Sequence, residues 1–313
     1  MTVDTDLPVI EDGILHGRRV ADRVRRPIRE QVAALAGEGV VLTLAVVRVG
    51  DDPASGVYVR GKIRACEEMG IVSQSHHLPA TTTQEELLRL VAALNDNDEV
   101  DGILVQLPLP PHISEKRVTE SVDPRKDVDG FHPLNLGLLF SGDALLRPCT
   151  PAGCMLLLDA AGISPRGRQA VVVGRSVIVG RPVGQMLLRA DATVTLCHRH
   201  TDGLETAVRC ADIVVVAAGV PGLIRGSWIK PGAVVLDVGI NRTPEGRVIG
   251  DVEFDAARER AFAITPVPGG VGPMTITMLL WNTLLAGLVR RRLRLPRPPL
   301  HALRGDIDAG VLG

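Results

Sequence analysis

The sequence predicts an α/β protein of two domains, with parallel sheets covered by helices. Three observations carry this expectation. The chain has 313 residues, more than one core usually serves. Apolar runs of strand length alternate with longer segments of helical period, the pattern of strand–helix–strand units. Pro and Gly cluster near residues 148–153 and again at 266–273, which marks two passages between halves.

In the first half, residues 41–49 (VLTLAVVRV) form a continuous apolar run, read as a buried strand. GDDPAS follows as a loop. Ser55 is placed to cap a helix running to about Met69, and Gly70 ends it. A second helix fits 84–94 and a buried strand fits 102–107 (GILVQL), stopped by the prolines of PLPP. The second half opens with a helix over about 151–161, capped by Thr150. Strands at 170–173, 192–196, 213–217 and 233–238 follow at Rossmann-like spacing. After PVPGGVGP, residues 274–288 are apolar enough for a long packed helix, expected to return to the first domain. The division expected is therefore 1–147 plus the helix 274–291, then 148–273, with 292–313 as a tail.

Composition narrows the function. Apolar residues make up 45% of the chain but aromatics only 2%, so the cores must be aliphatic. The net charge of −1 and the absence of a basic block argue against a nucleic-acid partner. No apolar run is long enough to span a bilayer, and the acidic start is unlike a signal or transit peptide. The five cysteines show no paired spacing and read as reduced thiols of a cytoplasmic protein.

The turn after the strand at 170–173 is Gly174-Arg175-Ser176, reaching Gly180 through VIV. It lacks the G-x-G-x-x-G fingerprint. Backbone N–H groups at a helix start can still meet a pyrophosphate, and Arg175 and Ser176 can add hydrogen bonds. An ordinary β–α turn is the alternative. The next strand ends in CHRHT, with His198, Arg199 and His200 and no acid. A ribose 2′-hydroxyl calls for an acid there. Positive groups suit a 2′-phosphate, hence NADP. Cys197, His198 and His200 are too close along one strand end to converge on one ion, so no metal is expected.

Lys62 is one of only four lysines against thirty-one arginines, and it stands four residues after Tyr58, the sole tyrosine. On a helix the two share a face. A surface pair would look the same. An ammonium, however, can surrender its proton whereas a guanidinium cannot, so an Arg-rich chain that keeps Lys here points to acid–base work. Gln106 lies within an apolar strand, and a buried amide needs partners; a structural bond to backbone would serve, as would Lys62 or a polar ligand. Asp127 and Asp129 in KDVDGFHP fit either a turn or, for Asp129, an acceptor for a heterocycle's N–H groups.

Taken together, VGDDPASGVYVRGKIRACEEMGI, DGILVQLPLPPHI, KDVDGFHPLNLG, VVVGRSVIVGRPV and TPVPGGVGPMT, in this order, resemble the bifunctional methylenetetrahydrofolate dehydrogenase/methenyltetrahydrofolate cyclohydrolases, over roughly residues 8 to 290. The resemblance implies a folate-binding catalytic domain, a Rossmann-like doubly wound NADP domain, and a cleft between them. It implies that Lys62 is the catalytic lysine, Tyr58 stacks on the folate, Gln106 hydrogen-bonds the lysine, and Asp129 holds the pterin. Val105, Leu107, Pro108 and the stretch Pro268, Gly269, Gly270, Val271, Gly272, Pro273 would line the folate site. Gly174, Arg175, Ser176, Arg199 and Ile240 would meet NADP. Tetrahydrofolate one-carbon derivatives are the implied substrates and a homodimer the implied assembly. The family often has Ser or Thr where Arg199 stands; the arginine is read as strengthening the 2′-phosphate contact.

Overall fold

The computed structural model describes residues 7–296. These form two compact units, each built from separate stretches: 7–24 with 150–277, and 25–149 with 278–296.

The chain opens with an antiparallel hairpin, β1 (Ile10–Glu11) and β2 (Ile14–Leu15), and enters the helix α1 (Gly17–Gly37). β3 (Thr43–Val49) is the central strand of a parallel three-stranded sheet, between β4 (Val72–Leu78) and β5 (Gly102–Val105). Its near-continuous burial follows from its place, since a central strand covered on both faces has no solvent side. β3 and β4 are joined by α2 (Pro53–Met69). Asp52, rather than the expected Ser55, caps α2: its carboxylate accepts the Ser55 N–H at 2.6 Å. Pro53 fits the first helical position because it has no N–H to leave unpaired. Gly70 closes the helix with φ 79°. α3 (Gln84–Asp96) starts in a Thr83–Glu86 capping box. Its Leu87, Val91 and Leu94 share an apolar cluster with Ala45, Val47 and Ile103 of the sheet. Two short helices follow, α4 (Glu115–Ser121) and α5 (Pro133–Ser141), then α6 (Cys149–Ala160).

The other unit carries β6 (Gln169–Val173), α7 (Gly180–Arg189), β7 (Thr193–Cys197), α8 (Leu204–Cys210), β8 (Ile213–Val216) and β9 (Val234–Asp237). A hairpin of β10 (Asn241–Arg242) and β11 (Val248–Ile249) follows, then α9 (Phe254–Arg258), β12 (Ala263–Ile264) and α10 (Val271–Arg290). The sheet order is β1-β2-β12-β9-β8-β6-β7. From β7 to β12 it is parallel. Counted from β6, its strands run 2-1-3-4-5, a doubly wound order that reverses between β6 and β8.

Two boundaries differ from the expected ones. Residues 7–24 join the seven-stranded unit, because β2 pairs in parallel with β12 and the Arg18 N–H donates to Gly269 O at 3.2 Å. The long C-terminal helix begins at Val271, and only from residue 278 does it belong with the three-stranded unit. Contrary to the expectation that no apolar run is long enough, α10 is by length and composition able to cross a bilayer. In the structure 78% of its apolar window is buried inside the protein, the condition of a core helix. Of the expected tail, residues 297–313 lie outside the described residues.

Candidate active site

The three-stranded unit gathers the acid–base candidates at the carboxyl end of its sheet. Strand β5 ends at Val105 and Gln106 is the next residue, one position beyond the strand that was expected to contain it. Gln106 is fixed on three sides. Its N–H donates to Val47 O at 2.8 Å and its side-chain Nε2 donates to Leu107 O at 2.6 Å. That leaves Oε1 to accept the Lys62 Nζ at 3.0 Å. Leu107 is partly buried and Pro108 exposed beside it. Lys62 is 9% exposed on the third turn of α2. Tyr58 lies one turn earlier and is 36% exposed.

Asp129 completes the group. Burial first of all pushes its carboxyl up to about 6, Lys62 pulls it down, and Asp127 pushes it further up. Lys62 and Asp129 therefore feel one another's charge. Asp127 has a different task. One of its oxygens accepts the His132 N–H and the Asn135 Nδ2, both at 2.8 Å, so it anchors the turn.

The seven-stranded unit presents a second site at its carboxyl edge. Gly174 follows β6 with φ +123°, and a Cβ there would lie 2.2 Å from Ala217 O. A Cβ on Gly180 would lie 2.0 Å from Gly174 O. Only glycines allow this turn to close over the switch point. Ser176 Oγ accepts the N–H groups of Val179 at 3.1 Å and Gly180 at 3.3 Å. A hydroxyl has one proton and two lone pairs, so Ser176 keeps its O–H to donate. Arg175 is exposed beside it.

Arg199 follows β7, which pairs with β6, and its Nε donates to His200 Nε2 at 3.0 Å. His198 is engaged within the turn, where its Nδ1 accepts the His200 N–H at 3.2 Å. Ile240 follows β9 and is 47% exposed. This donor set fits a dinucleotide carrying a 2′-phosphate: a glycine cradle, a serine proton, two arginines and no acid at the end of β7. Pro268, Gly269 and Gly270 form the loop before α10, whereas Val271, Gly272 and Pro273 are its first turn. The loop is clamped from the amino-terminal segment, since a Cβ on Gly17 would sit 1.7 Å from Gly270 O.

Sequence reasoning missed Asn282 and Cys149. Asn282 Nδ2 donates to Val128 O and Arg147 O, both at 2.8 Å, and Cys149 Sγ donates to Val128 O at 3.2 Å. Both hold the residue before Asp129. A lone amide inside the apolar run of α10 was the available signal. It also missed the buried acids Asp237, the last residue of β9, and Asp251, two residues past β11.

Comparison with known proteins gives the same two-part picture. Residues 15–129 match the tetrahydrofolate dehydrogenase/cyclohydrolase catalytic domain. Residues 148–291 match the NAD(P)-binding domain of the same family. The bifunctional protein FolD of Moorella thermoacetica is 58% identical over 87% of this chain and 98% of its own length. The crystal structure of the bifunctional FolD enzyme from Campylobacter jejuni superposes with a TM-score of 0.86 at 48% identity, covering 88% of this chain and 99% of that one. The Trypanosoma brucei methylenetetrahydrofolate dehydrogenase-cyclohydrolase, solved with NADP cofactor and inhibitor, gives a TM-score of 0.86 at 43% identity, over 89% of this chain and 98% of that one. By domain content, sequence and fold alike, the chain belongs to the tetrahydrofolate dehydrogenase/cyclohydrolase family.

Proposed function

We infer that this protein is an NADP-dependent methylenetetrahydrofolate dehydrogenase and a methenyltetrahydrofolate cyclohydrolase, with Lys62 as the acid–base residue of the second reaction. The observation that carries the role of Lys62 is its hydrogen bond to Gln106 at 3.0 Å. The amide is held by its own second bond to Leu107 O, so it can only offer Lys62 its oxygen.

Bound NADP supplies the hydride acceptor. Gly174, Arg175, Ser176 and Arg199 would hold its phosphates, and Ile240 would pack against its ring. In the first reaction 5,10-methylene-tetrahydrofolate loses a hydride and becomes the methenyl cation. The folate nitrogens drive that step, so the protein contributes position. Tyr58 offers a ring face for the folate, and Asp129 an acceptor for the pterin's N–H edge. Val105, Leu107 and Pro108 would wall the site.

In the second reaction water adds to the methenyl carbon, a C–N bond breaks, and 10-formyl-tetrahydrofolate forms. The attacking water must lose a proton, and Lys62 Nζ takes it. To do so the amine must carry a free lone pair when the water attacks. Gln106 keeps Nζ aimed while the proton moves.

Lys62→Met tests the assignment. Methenyl hydrolysis, followed by absorbance, should fall by about 100-fold or more, while NADPH binding changes little. Equal hydrolysis by both proteins would refute the role. Two further readings accompany the activity. The protein works as a homodimer, a reading supported by the edge of β4, whose sequence VSQSHHL has no Pro or Lys to block a second strand. Its setting is cytoplasmic, which the five free thiols support. A monomer by light scattering would remove the first reading.

A further inference from the structure

Ile240 stands at the carboxyl edge of the seven-stranded sheet, and two buried acids hold the chain on either side of it. Asp237 is 3% exposed and Asp251 fully buried. Asp237 accepts the N–H of Gly239 at 2.9 Å, and those of Asp251 and Val252 at 3.0 Å each. Asp251 accepts the Asn241 side-chain amide at 2.8 Å with one oxygen. With the other it accepts the N–H groups of Ala218 at 2.7 Å and Gly219 at 2.8 Å. The residue before Ile240 is thus tied to one acid and the residue after it to the other. The acids are joined through the Asp251 backbone. Asp251 also fixes the loop leaving β8, next to the switch point.

This is an expensive way to hold two loops. Two neighbouring carboxylates lose hydration and repel each other; burial, its largest cause, helps push Asp237 up to about 6. Glycines make room for the acids. A Cβ on Gly239 would lie 2.2 Å from an Asp251 oxygen, and one on Gly250 1.9 Å from an Asp237 oxygen. The position of the pair along the sheet says what it serves. The end of β7 takes the 2′-phosphate side and the turn after β6 takes the pyrophosphate, so the ends of β8 and β9 face the nicotinamide half.

Resting on the reading that Ile240 touches the cofactor, we propose that Asp237 and Asp251 are positioning residues for NADP, setting Ile240 and the 217–219 loop against its nicotinamide half. A pair that merely stabilised the fold would lower stability without separating the two activities or coupling to Ile240.

The test is a double-mutant cycle on the full chain. NADPH affinity is read from nicotinamide fluorescence, and methenyl hydrolysis without nucleotide is read in parallel. Asp251→Asn should weaken NADPH about tenfold, the loss of a bond to a charged group, and reduce hydrolysis by less than that. Ile240→Ala should weaken NADPH about fivefold. The double variant should fall well short of the product of the two. Independent effects that multiply, or an unchanged NADPH affinity in Asp251→Asn, would overturn the proposal. Should Asp251→Asn fail to fold, Asn241→Ala removes one of its ties, the one next to Ile240, along with the amide's bond to Gly250 O at 3.2 Å, and leaves both acids in place. It should weaken NADPH about threefold, and no change would again overturn the idea. If Ile240→Ala itself leaves NADPH affinity intact, the cofactor reading of Ile240 falls and takes this inference with it. An effect of Ile240 without coupling sinks the inference alone.

Discussion

At the scale of single residues, the four lysines show what this chain reserves an ammonium for. Lys116 and Lys230 make surface ion pairs, with Glu120 and Asp212. Lys126 is 2% exposed and its Nζ donates to the carbonyls of Leu94, Asn95 and Asn97, at 3.0, 2.7 and 2.7 Å. Three protons on one nitrogen match three converging carbonyls at the end of α3; a planar guanidinium has no such geometry. Lys126→Arg should lower stability by about 2 kcal/mol in urea titration. Lys62 is the fourth; its Nζ donates to Gln106 Oε1 at 3.0 Å. Its neighbour Asp129 gives a prediction with a definite sign. A carboxyl raised to about 6 binds its proton more tightly folded than unfolded, so the native state loses stability as pH rises through about 6. Asp129→Asn should therefore be more stable than the parent above pH 6, by about 2 kcal/mol, with the difference fading near pH 4. The same variant should bind folate more weakly, because the ionised acceptor is gone. Parent-like stability at pH 8 would contradict the burial argument. Arg199→Ser addresses the other unit: NADP affinity should fall about tenfold more than NAD affinity, and an unchanged ratio would remove Arg199 from the 2′-phosphate.

At the scale of elements, what could be read in advance followed burial. The strands β3, β5, β6, β8 and β9 are apolar on both faces and stood out as continuous runs. β4 did not: VSQSHHL lies at the edge of its sheet with alternating exposure, so its pairing with β3 leaves almost no hydrophobic mark. β12 and the hairpin β1–β2 are two residues per strand, too short for any period to show. In the sites, the candidates Lys62 and Gln106 were legible because their type was out of place: a lysine among arginines, an amide in an apolar run. The supporting residues Asp251 and Asp101 were not, because they act on backbone atoms far away in sequence; Asn282 showed its amide in the apolar run of α10 but not its partners, Val128 and Arg147. Asp101 is fully buried, accepts the Thr43 N–H at 2.9 Å and pairs with Arg290 and Arg291 at the end of α10. Removing one side of such a buried set leaves charge unmatched. Asp101→Asn should cost about 3 kcal/mol, read by thermal or urea unfolding, with the NADPH affinity unaltered.

At the scale of the whole molecule, the thiols offer a simple check on the packing. Cys66, Cys149, Cys154 and Cys197 are buried and Cys210 is exposed. Burial also drives Cys66 and Cys154 up to about 12, which keeps them from forming thiolate near neutral pH. A thiol reagent at pH 7.5 should modify one cysteine quickly in the native protein and all five after denaturation. Two or more fast thiols would mean a looser core than the structure describes.

The pairing of β2 with β12 also decides how this protein can be taken apart. A fragment cut at residue 148 would keep every residue proposed to hold NADP, yet it would bare one whole side of β12 and strip the clamp from the Gly270 loop. Such a truncation should clump rather than bind. Grafting residues 7–24 back through a short linker, and ending the chain at 277 so that the half of α10 belonging with the other unit is left out, would give that strand its neighbour again and restore a soluble nucleotide binder.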